Sequence, residues 1–243
     1  MKKADSCIGK FIILFIFSII LYVVFFVFIT GWREYSGHKN KNSDQDGNAF
    51  NSLMIGKQEW MESNLQVSTF RNGEKIIQAH NSKEWRSAEL NKTAAWCWPG
   101  FSKKNKAFGK YYNYYAIIDS RGLAPKGWKV PSIKDYQKNI STPNWYGGYS
   151  TIREHKSRDG WTLSCNGLNS SGFNIFPVGY CSKYGGFKKD IACYWTKSSL
   201  INNNYRKSSR SPEAFFIEFK QCDCSDYSTA PKGEGMPIRC IKN

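Results

Sequence analysis

The feature that most constrains this chain is an uncharged, strongly apolar segment at residues 11–30. Seventeen of its twenty residues are Phe, Ile, Leu or Val. Twenty helical residues rise about 30 Å, which matches the hydrocarbon core of a bilayer. Their insertion is worth about −5 to −10 kcal/mol. The segment therefore predicts one transmembrane helix, and the lipid bilayer is the first partner that we expect.

A cleaved signal peptide is the alternative interpretation of this segment. Its apolar core would span about 7–15 residues and would end in small residues. Here the run is longer and leads into Trp32 and Arg33, so we expect a retained signal anchor. Because Lys2 and Lys3 precede it, the positive-inside rule places residues 1–10 in the cytoplasm. The rest of the chain would then be periplasmic or extracellular.

The part after the anchor divides by composition. Residues 31–50 are rich in polar turn formers and predict a flexible linker, and residues 51–243 predict one exported domain. The whole chain has 35 Lys and Arg against 19 Asp and Glu, a formal net charge of +16. Such a basic protein attracts anions. Nucleic acid is an unlikely partner, because an exported domain seldom meets it.

Seven cysteines follow the apolar segment: Cys97, Cys165, Cys181, Cys193, Cys222, Cys224 and Cys240. In an oxidising compartment cysteines usually pair, but an odd number leaves at least one free or paired between chains. From the residues alone, structural disulfides and partly free thiols both stay open. Metal ligation has less support, because Cys222 and Cys224 form C-x-C instead of the C-x-x-C of zinc sites. We predict no metal and no cofactor.

Local signals indicate an α+β domain. Asn81 and Glu84 resemble a capping box for a short helix through Leu90, and Ser132 with Asp135 predicts a second helix, limited by Pro143. Strand-like runs lie at Ile55–Trp60, Lys110–Ile118, Phe173–Val178, Ala214–Phe219 and Pro237–Ile241.

A series of motifs runs through the predicted exported domain: IGKQEWMESNL at 55–65, YYNYYA at 111–116, RGLAPKGWKVPS at 121–132, NSSGF at 169–173, YWTKSS at 194–199 and IRCIK at 238–242. In order and spacing, over about residues 53–243, the chain resembles the Fibrobacter succinogenes major paralogous domain (FISUMP) family. These motifs also have a purely structural interpretation, since Trp60, Trp128 and Trp195 would each bury a large apolar surface area in a core.

The resemblance implies a C-type lectin-like domain with two short helices, short mixed or antiparallel strands and long loops, here preceded by one transmembrane helix. It implies no known catalytic residue. Cys97 and Cys240 match the two recurrent cysteines of the family, so the resemblance implies a disulfide bond between them.

A search for chemistry gives negative results. The sequence has no phosphate-binding glycine loop, no G-x-S-x-G and no H-E-x-x-H. His80 and His155 stand alone and are expected on the surface or in turns. Pro143 and Asn144 follow Thr142, so the segment lacks the first calcium ligand of sugar-binding C-type lectins. Cys222 and Cys224 do not fit the spacing of the related formylglycine-generating enzymes.

What remains is a surface on which aromatic and basic residues lie close together in sequence. The binding candidates are weak: Trp98, Lys103, Lys104, Tyr205 and Arg206. We expect a non-enzymatic, membrane-anchored binding or adhesion module of the bacterial cell envelope, with a polysaccharide, an anionic envelope polymer or a protein as ligand. The alternatives are an exported glycan-acting enzyme with unrecognised carboxylates and a purely structural envelope protein.

Overall fold

A computed structural model describes residues 18–25, 42–140, 152–198, 213–221 and 224–243. The chain divides into two compact units, Met1–Asn40 and Lys41–Asn243. In the first unit, residues 18–25 form helix α1. The remainder of the predicted membrane segment, residues 11–17 and 26–30, lies outside the described ranges. Within those ranges, no helix has the length and apolarity that a membrane crossing requires.

The second unit mixes short strands with short helices, as an α+β domain should. Two strands form a hairpin at its start: β1 (Asn42–Ser43) and β2 (Ala49–Phe50). A four-stranded sheet has the order β3 (Ser52–Ile55), β4 (Gln58–Met61), β15 (Ile241–Lys242), β8 (Trp128–Lys129). The first and last segments of the domain therefore pair with each other.

The strands of the other two sheets lie between residues 77 and 236. The six-stranded sheet has the order β10 (Phe187–Lys188), β9 (Tyr180–Cys181), β14 (Gly235–Met236), β7 (Tyr111–Asn113), β6 (Ala95–Cys97), β5 (Ile77–Gln78). The β5–β6 pair is parallel, and the other pairs of this sheet are antiparallel. The three-stranded sheet has the order β11 (Ala192–Trp195), β12 (Glu213–Phe219), β13 (Ser225–Pro231).

The described helices of this unit are short: α2 (Ser82–Leu90), α3 (Tyr114–Ile118), α4 (Ile133–Asn139) and α5 (Ile152–His155), with 3-10 turns at Pro99–Phe101, Lys103–Phe108 and Leu163–Cys165. Both predicted helices are confirmed. The Asn81 side chain accepts from the Glu84 N–H at 3.0 Å, and Ser132 and Asp135 form a full capping box. Helix α4 ends at Asn139, and Pro143 lies outside the described ranges.

Two of the predicted strands are confirmed only in part, for local reasons. The run Ile55–Trp60 is not one strand: Ile55 ends β3 and Gln58–Trp60 lie in β4, because Gly56 has a φ of +59° that reverses the chain between them. The run Lys110–Ile118 changes to helix after β7, because the Asn113 side chain accepts from the Ala116 N–H at 3.2 Å and caps α3.

The remaining predicted strands have mixed outcomes. The run Phe173–Val178 makes only a single bridge, between Ile175 and Lys156, so it is not a strand. The run Ala214–Phe219 is confirmed within β12. Of Pro237–Ile241, only the last residue enters a strand, β15.

Part of the predicted linker 31–50 is ordered. The Asp44 carboxylate accepts from the backbone N–H groups of Asp46 and Asn48 at 3.0 and 2.9 Å, which closes the β1–β2 turn. The Asp46 carboxylate in turn accepts from the Ser68 N–H and the Thr69 hydroxyl. The compact unit therefore begins at Lys41, before the predicted start at residue 51.

The tryptophans of the motifs are core residues, as the structural interpretation predicts. Trp60, Trp128 and Trp195 are buried. The Trp60 ring packs 5.1 Å from the ring centroid of Tyr136 and 5.4 Å from that of Phe173.

A buried guanidinium joins the first motif to the last. Arg239 is 4 % exposed, and its Nε and Nη2 donate to Asn64 Oδ1 at 3.0 and 2.7 Å. Its Nη1 donates to the Phe173 carbonyl, and its Cζ lies 4.4 Å from the Phe173 ring centroid. Burying a charge is costly unless it is hydrogen-bonded, and here oxygen acceptors and an aromatic face supply that compensation.

Replacing this cation tests its role in stability. We expect Arg239→Met to lower the free energy of unfolding by about 3 kcal/mol, because Asn64 Oδ1 loses a buried donor pair. Urea denaturation measures the change. The matched control is Arg86→Met on the exposed face of α2, with an expected effect within about 0.5 kcal/mol. Equal losses in the two variants would contradict this role.

Candidate functional site

A cleft of about 310 Å³ opens between the six-stranded sheet and the loops beside it. We call it the aromatic cleft and define it by Asn105, Phe108, Tyr111, Phe176, Phe187 and Lys189, which line it. Its volume is at the lower end of the range of small-molecule sites.

One wall of the aromatic cleft is a stacked pair of phenylalanines. The Phe108 and Phe176 ring centroids are 5.0 Å apart with an interplanar angle of 28°, and both side chains are half-buried. Phe108 ends the 3-10 turn Lys103–Phe108. Gly160 is required beside Phe176, because a Cβ there would lie 2.3 Å from the Phe176 Cζ.

Strands β7 and β10 contribute Tyr111 and Phe187 to the lining. Tyr111 is buried, and its hydroxyl donates to the Val178 carbonyl. Burial raises the pKa of Tyr111 well above its usual value, so the hydroxyl stays protonated at neutral pH. The half-buried Phe187 ring lies 6.2 Å from that of Tyr111 and 5.0 Å from that of Phe101.

Polar groups stand at the rim of the cleft. Lys189 and Asp190 are exposed, and the Asn105 side chain donates to the Pro99 carbonyl at 2.7 Å. Gln221 fixes the rim, because its Nε2 donates to the Asp190 carbonyl at 2.9 Å and its Oε1 accepts from the Thr162 N–H at 3.0 Å. Aromatic faces with a sparse polar rim suit a flat, mainly apolar ligand face that carries hydroxyl groups at its edges.

A second cleft of about 270 Å³ is more polar, and Asp44, Asn48, Ser63, Asn64 and Gln66 contribute to its lining. Two of these groups already have internal partners. Asp44 closes the β1–β2 turn, and the Asn64 carboxamide donates to the Phe108 carbonyl at 2.8 Å while it accepts from Arg239. The cleft therefore offers fewer free polar groups than its composition indicates.

The described binding candidates from the sequence, Trp98, Lys103 and Lys104, do not line the aromatic cleft. Lys103 and Lys104 are exposed and open the 3-10 turn that ends at Phe108. Trp98 is half-buried, and its ring packs edge-on against Trp96 at 5.4 Å. Tyr205 and Arg206 lie outside the described ranges. The sequence analysis did not include Phe108 or Phe176 among the binding candidates. In the turn that ends at Phe108, it selected the basic residues at the start.

The implied Cys97–Cys240 disulfide is absent, because both residues are free, buried thiols. They belong to different hydrophobic clusters: Cys97 packs with Trp85 and Tyr111, and Cys240 packs with Trp128. Cys181, Cys193 and Cys224 are also free, Cys165 is half-buried, and Cys222 lies outside the described ranges. In the part of the chain that the structure describes, no three His, Cys, Asp or Glu side chains group as metal ligands would.

His155 is buried, so the expected surface position is wrong for this histidine, whereas His80 is exposed. Burial lowers the pKa of His155 to about 4. Its Nδ1 lies 2.7 Å from Ser171 Oγ, and that hydroxyl donates to the Glu154 carbonyl at 3.1 Å. Because the serine proton is committed to a carbonyl, the pair does not have the arrangement of a nucleophile and its base.

Two glutamates meet at the end of helix α2. The Glu89 carboxylate packs on the turn between β13 and β14, where a Cβ on Gly233 would lie 1.9 Å from Glu89 Oε2. That oxygen is buried and has no hydrogen-bond partner among the described residues. Burial, together with the charge of Glu89, raises the pKa of the neighbouring Glu234 to about 7, against the opposing effect of Lys183.

Comparison with known proteins gives one match. No curated protein and no solved structure is significantly similar to the chain. The family model of the Fibrobacter succinogenes major domain matches residues 53–242, which is most of the chain. That range spans the buried Asn64–Arg239 contact and every residue that defines the aromatic cleft. The chain therefore belongs to the Fibrobacter succinogenes major domain family.

Proposed function

We propose that the domain is a non-enzymatic binding module of the bacterial cell envelope that holds a polysaccharide in the aromatic cleft. The observation that carries this proposal is the half-buried Phe108–Phe176 stack, which lines the cleft together with Tyr111 and Phe187. Apolar faces of sugar rings pack on aromatic side chains, and their hydroxyl groups then reach the polar rim.

The charge of the rim favours a neutral polysaccharide. Among the described residues, the cleft lining contains one cation, Lys189, and one anion, Asp190, so these charges balance. The net charge of +16 attracts anionic polymers to the protein as a whole, but that attraction is screened by salt and is not specific to the cleft. Binding in the cleft should therefore depend weakly on ionic strength and survive EDTA.

We also propose that residues 11–30 anchor the chain in the bilayer, with the N-terminus in the cytoplasm and the domain in the periplasm or outside the cell. The large apolar side chains of α1, from Ile19 to Phe25, are between 48 % and 68 % exposed, and lipid would cover them. Recovery of the full-length chain in membranes after alkaline extraction is expected. Recovery in the soluble fraction would contradict the anchor.

We also propose that the domain is related to C-type lectin-like domains. The short strands, the long connections and the pairing of β4 with β15 support it.

The alternative, an exported glycan-acting enzyme, depends on carboxyl pairs, because glycoside hydrolysis uses two of them. The described lining of the aromatic cleft includes one carboxylate, Asp190. Glu234 has the raised pKa that a general acid needs, but neither Glu234 nor Glu89 lines that cleft. The geometry therefore supports binding better than hydrolysis.

The aromatic stack provides the direct mutational test. We expect Phe108→Ala and Phe176→Ala each to weaken retention of the full-length protein on a neutral polysaccharide about tenfold, as expected for the loss of one stacking ring. Affinity electrophoresis measures the retention, in gels that contain a soluble cellulose derivative, xylan, mannan or glycol chitin. The matched control is Tyr184→Ala, which removes an exposed aromatic ring outside the cleft. Equal weakening in the control, or no retention of the wild type on any of these, would contradict the proposal.

The glutamate pair gives a test of the alternative. Glu234 ionises near 4.5 in the unfolded chain and near 7 in the folded one, so stability falls as the pH rises between these values. We expect Glu234→Gln to raise the stability at pH 8 by on the order of 1 kcal/mol, allowing for solvent screening, and to leave it unchanged at pH 4. Thermal melts across this range measure the difference.

The control for that series is Glu154→Gln, which changes an exposed carboxyl group. Polysaccharide retention should be the same in both variants and the wild type. Turnover of a bound glycan by the wild type that disappears in Glu234→Gln would favour the enzyme.

A further inference from the structure

One residue at the rim of the aromatic cleft has a strained backbone. Asp190 has a φ of +68°, in the left-handed region that favours glycine. It is exposed and lines the cleft. Within the part of the chain that the structure describes, its carboxylate makes no ion pair and accepts no hydrogen bond. Glycine would adopt this conformation without strain, so packing within the domain does not explain the aspartate.

Another residue with a positive φ shows the contrast. Asn169 has a φ of +47°, but its side-chain oxygen accepts from the Asn174 N–H at 2.9 Å. That side chain stabilises its own loop, whereas the Asp190 carboxylate has no such contact with the described residues. Strained residues persist at ligand sites when the surrounding structure maintains their conformation.

The structure around Asp190 maintains its backbone from two sides. Gln221 Nε2 donates to the Asp190 carbonyl at 2.9 Å. On the other side, the Ile191 carbonyl accepts from the Gly179 N–H at 2.7 Å. A Cβ on Gly179 would lie 1.7 Å from the Lys188 carbonyl oxygen, so the turn that carries Asp190 packs directly on the backbone there.

Gln221 is itself fixed by a buried cation and by a second segment of the cleft. Its carbonyl accepts from the Nζ of the fully buried Lys156 at 2.9 Å. Its Oε1 accepts from the N–H and the hydroxyl of Thr162 at 3.0 and 3.1 Å. Gly160, two residues before Thr162, also lines the cleft. The backbone from which the Asp190 carboxylate extends is therefore held in place before a ligand binds, which lowers the cost of binding.

We propose that Asp190 determines the specificity of the aromatic cleft by selecting a neutral glycan that presents two adjacent, unsubstituted hydroxyl groups. This inference rests on the proposed function of the cleft. An ionised carboxylate only accepts hydrogen bonds, and its two oxygens can each accept from one hydroxyl group of such a pair. A glycan with alkylated hydroxyl groups lacks these donors, and a glycan that carries carboxylates is repelled by the anion.

Replacement by glycine separates this role from a structural one. Asp190→Gly removes the carboxylate and relieves the positive φ. We therefore expect retention of the full-length protein on the neutral polysaccharide to fall about tenfold while its Tm does not fall. Asp190→Asn tolerates the same φ and should weaken retention about threefold, because a neutral amide oxygen is the weaker acceptor.

The matched control is Lys92→Gly, which relieves a φ of +51° at an exposed residue outside the described lining of the cleft. Its Tm should also not fall, and its retention should equal that of the wild type. Affinity electrophoresis measures the retention, in the soluble cellulose derivative, xylan, mannan or glycol chitin that retains the wild type.

A methylated form of the same polysaccharide tests the role of the hydroxyl groups. Extensive O-methylation keeps the apolar ring faces and removes the hydroxyl donors. Retention of the wild type should fall to that of Asp190→Gly, and retention of Asp190→Gly should not change.

The outcomes distinguish this inference from the proposed function. Wild-type retention in both Asp190 variants, on a polysaccharide whose retention depends on Phe108, would overturn the inference and leave the proposed function intact. Equal effects of methylation on the wild type and on Asp190→Gly would also overturn it. Failure of every polysaccharide to retain the wild type would overturn the proposed function, and the inference with it.

Discussion

The hydrogen bonds between the buried Arg239 guanidinium and the Asn64 carboxamide are the interaction on which the rest of the domain depends. They join residues from the two ends of the domain, beside the pairing of β4 with β15. The same carboxamide donates to the Phe108 carbonyl, so the contact that closes the domain also positions one wall of the aromatic cleft. With the ends fixed, the long middle of the chain is free to form loops around that cleft.

The sequence predicts the features that short-range hydrogen bonds determine. Asn81 and Ser132 cap their helices as expected, because a cap needs only the residues three positions on. The interruptions of the strand-like runs at Gly56 and Asn113 were less predictable. A positive φ at Gly56 and the Asn113 side-chain cap end strands in runs that are apolar enough to continue them. The β1–β2 hairpin was not predicted from its polar sequence; besides the Asp44 turn, Asp46 contacts Ser68 and Thr69, which are distant in the sequence.

The candidate site was less accessible to sequence reasoning than the fold. Phe108 and Phe176 come from separate segments, and nothing local to either residue indicates that their rings stack. The family motifs contain Asn64 and Arg239 but do not say that they meet. The implied cysteine pair failed for a similar reason, because recurrence of Cys97 and Cys240 gives no information on which buried cluster each thiol enters.

The central claim is that the aromatic cleft is the ligand site, and hydrogen exchange of the full-length chain in detergent tests it most directly. Exchange is compared with and without saturating cellohexaose, xylohexaose, mannohexaose or chitohexaose. The account predicts that at least one of these slows exchange in peptides from 100–111, 158–162 and 176–190, which surround the cleft. Slowed exchange at 44–50 and 63–66 instead, around the more polar cleft, or unchanged exchange with all four sugars, would contradict it.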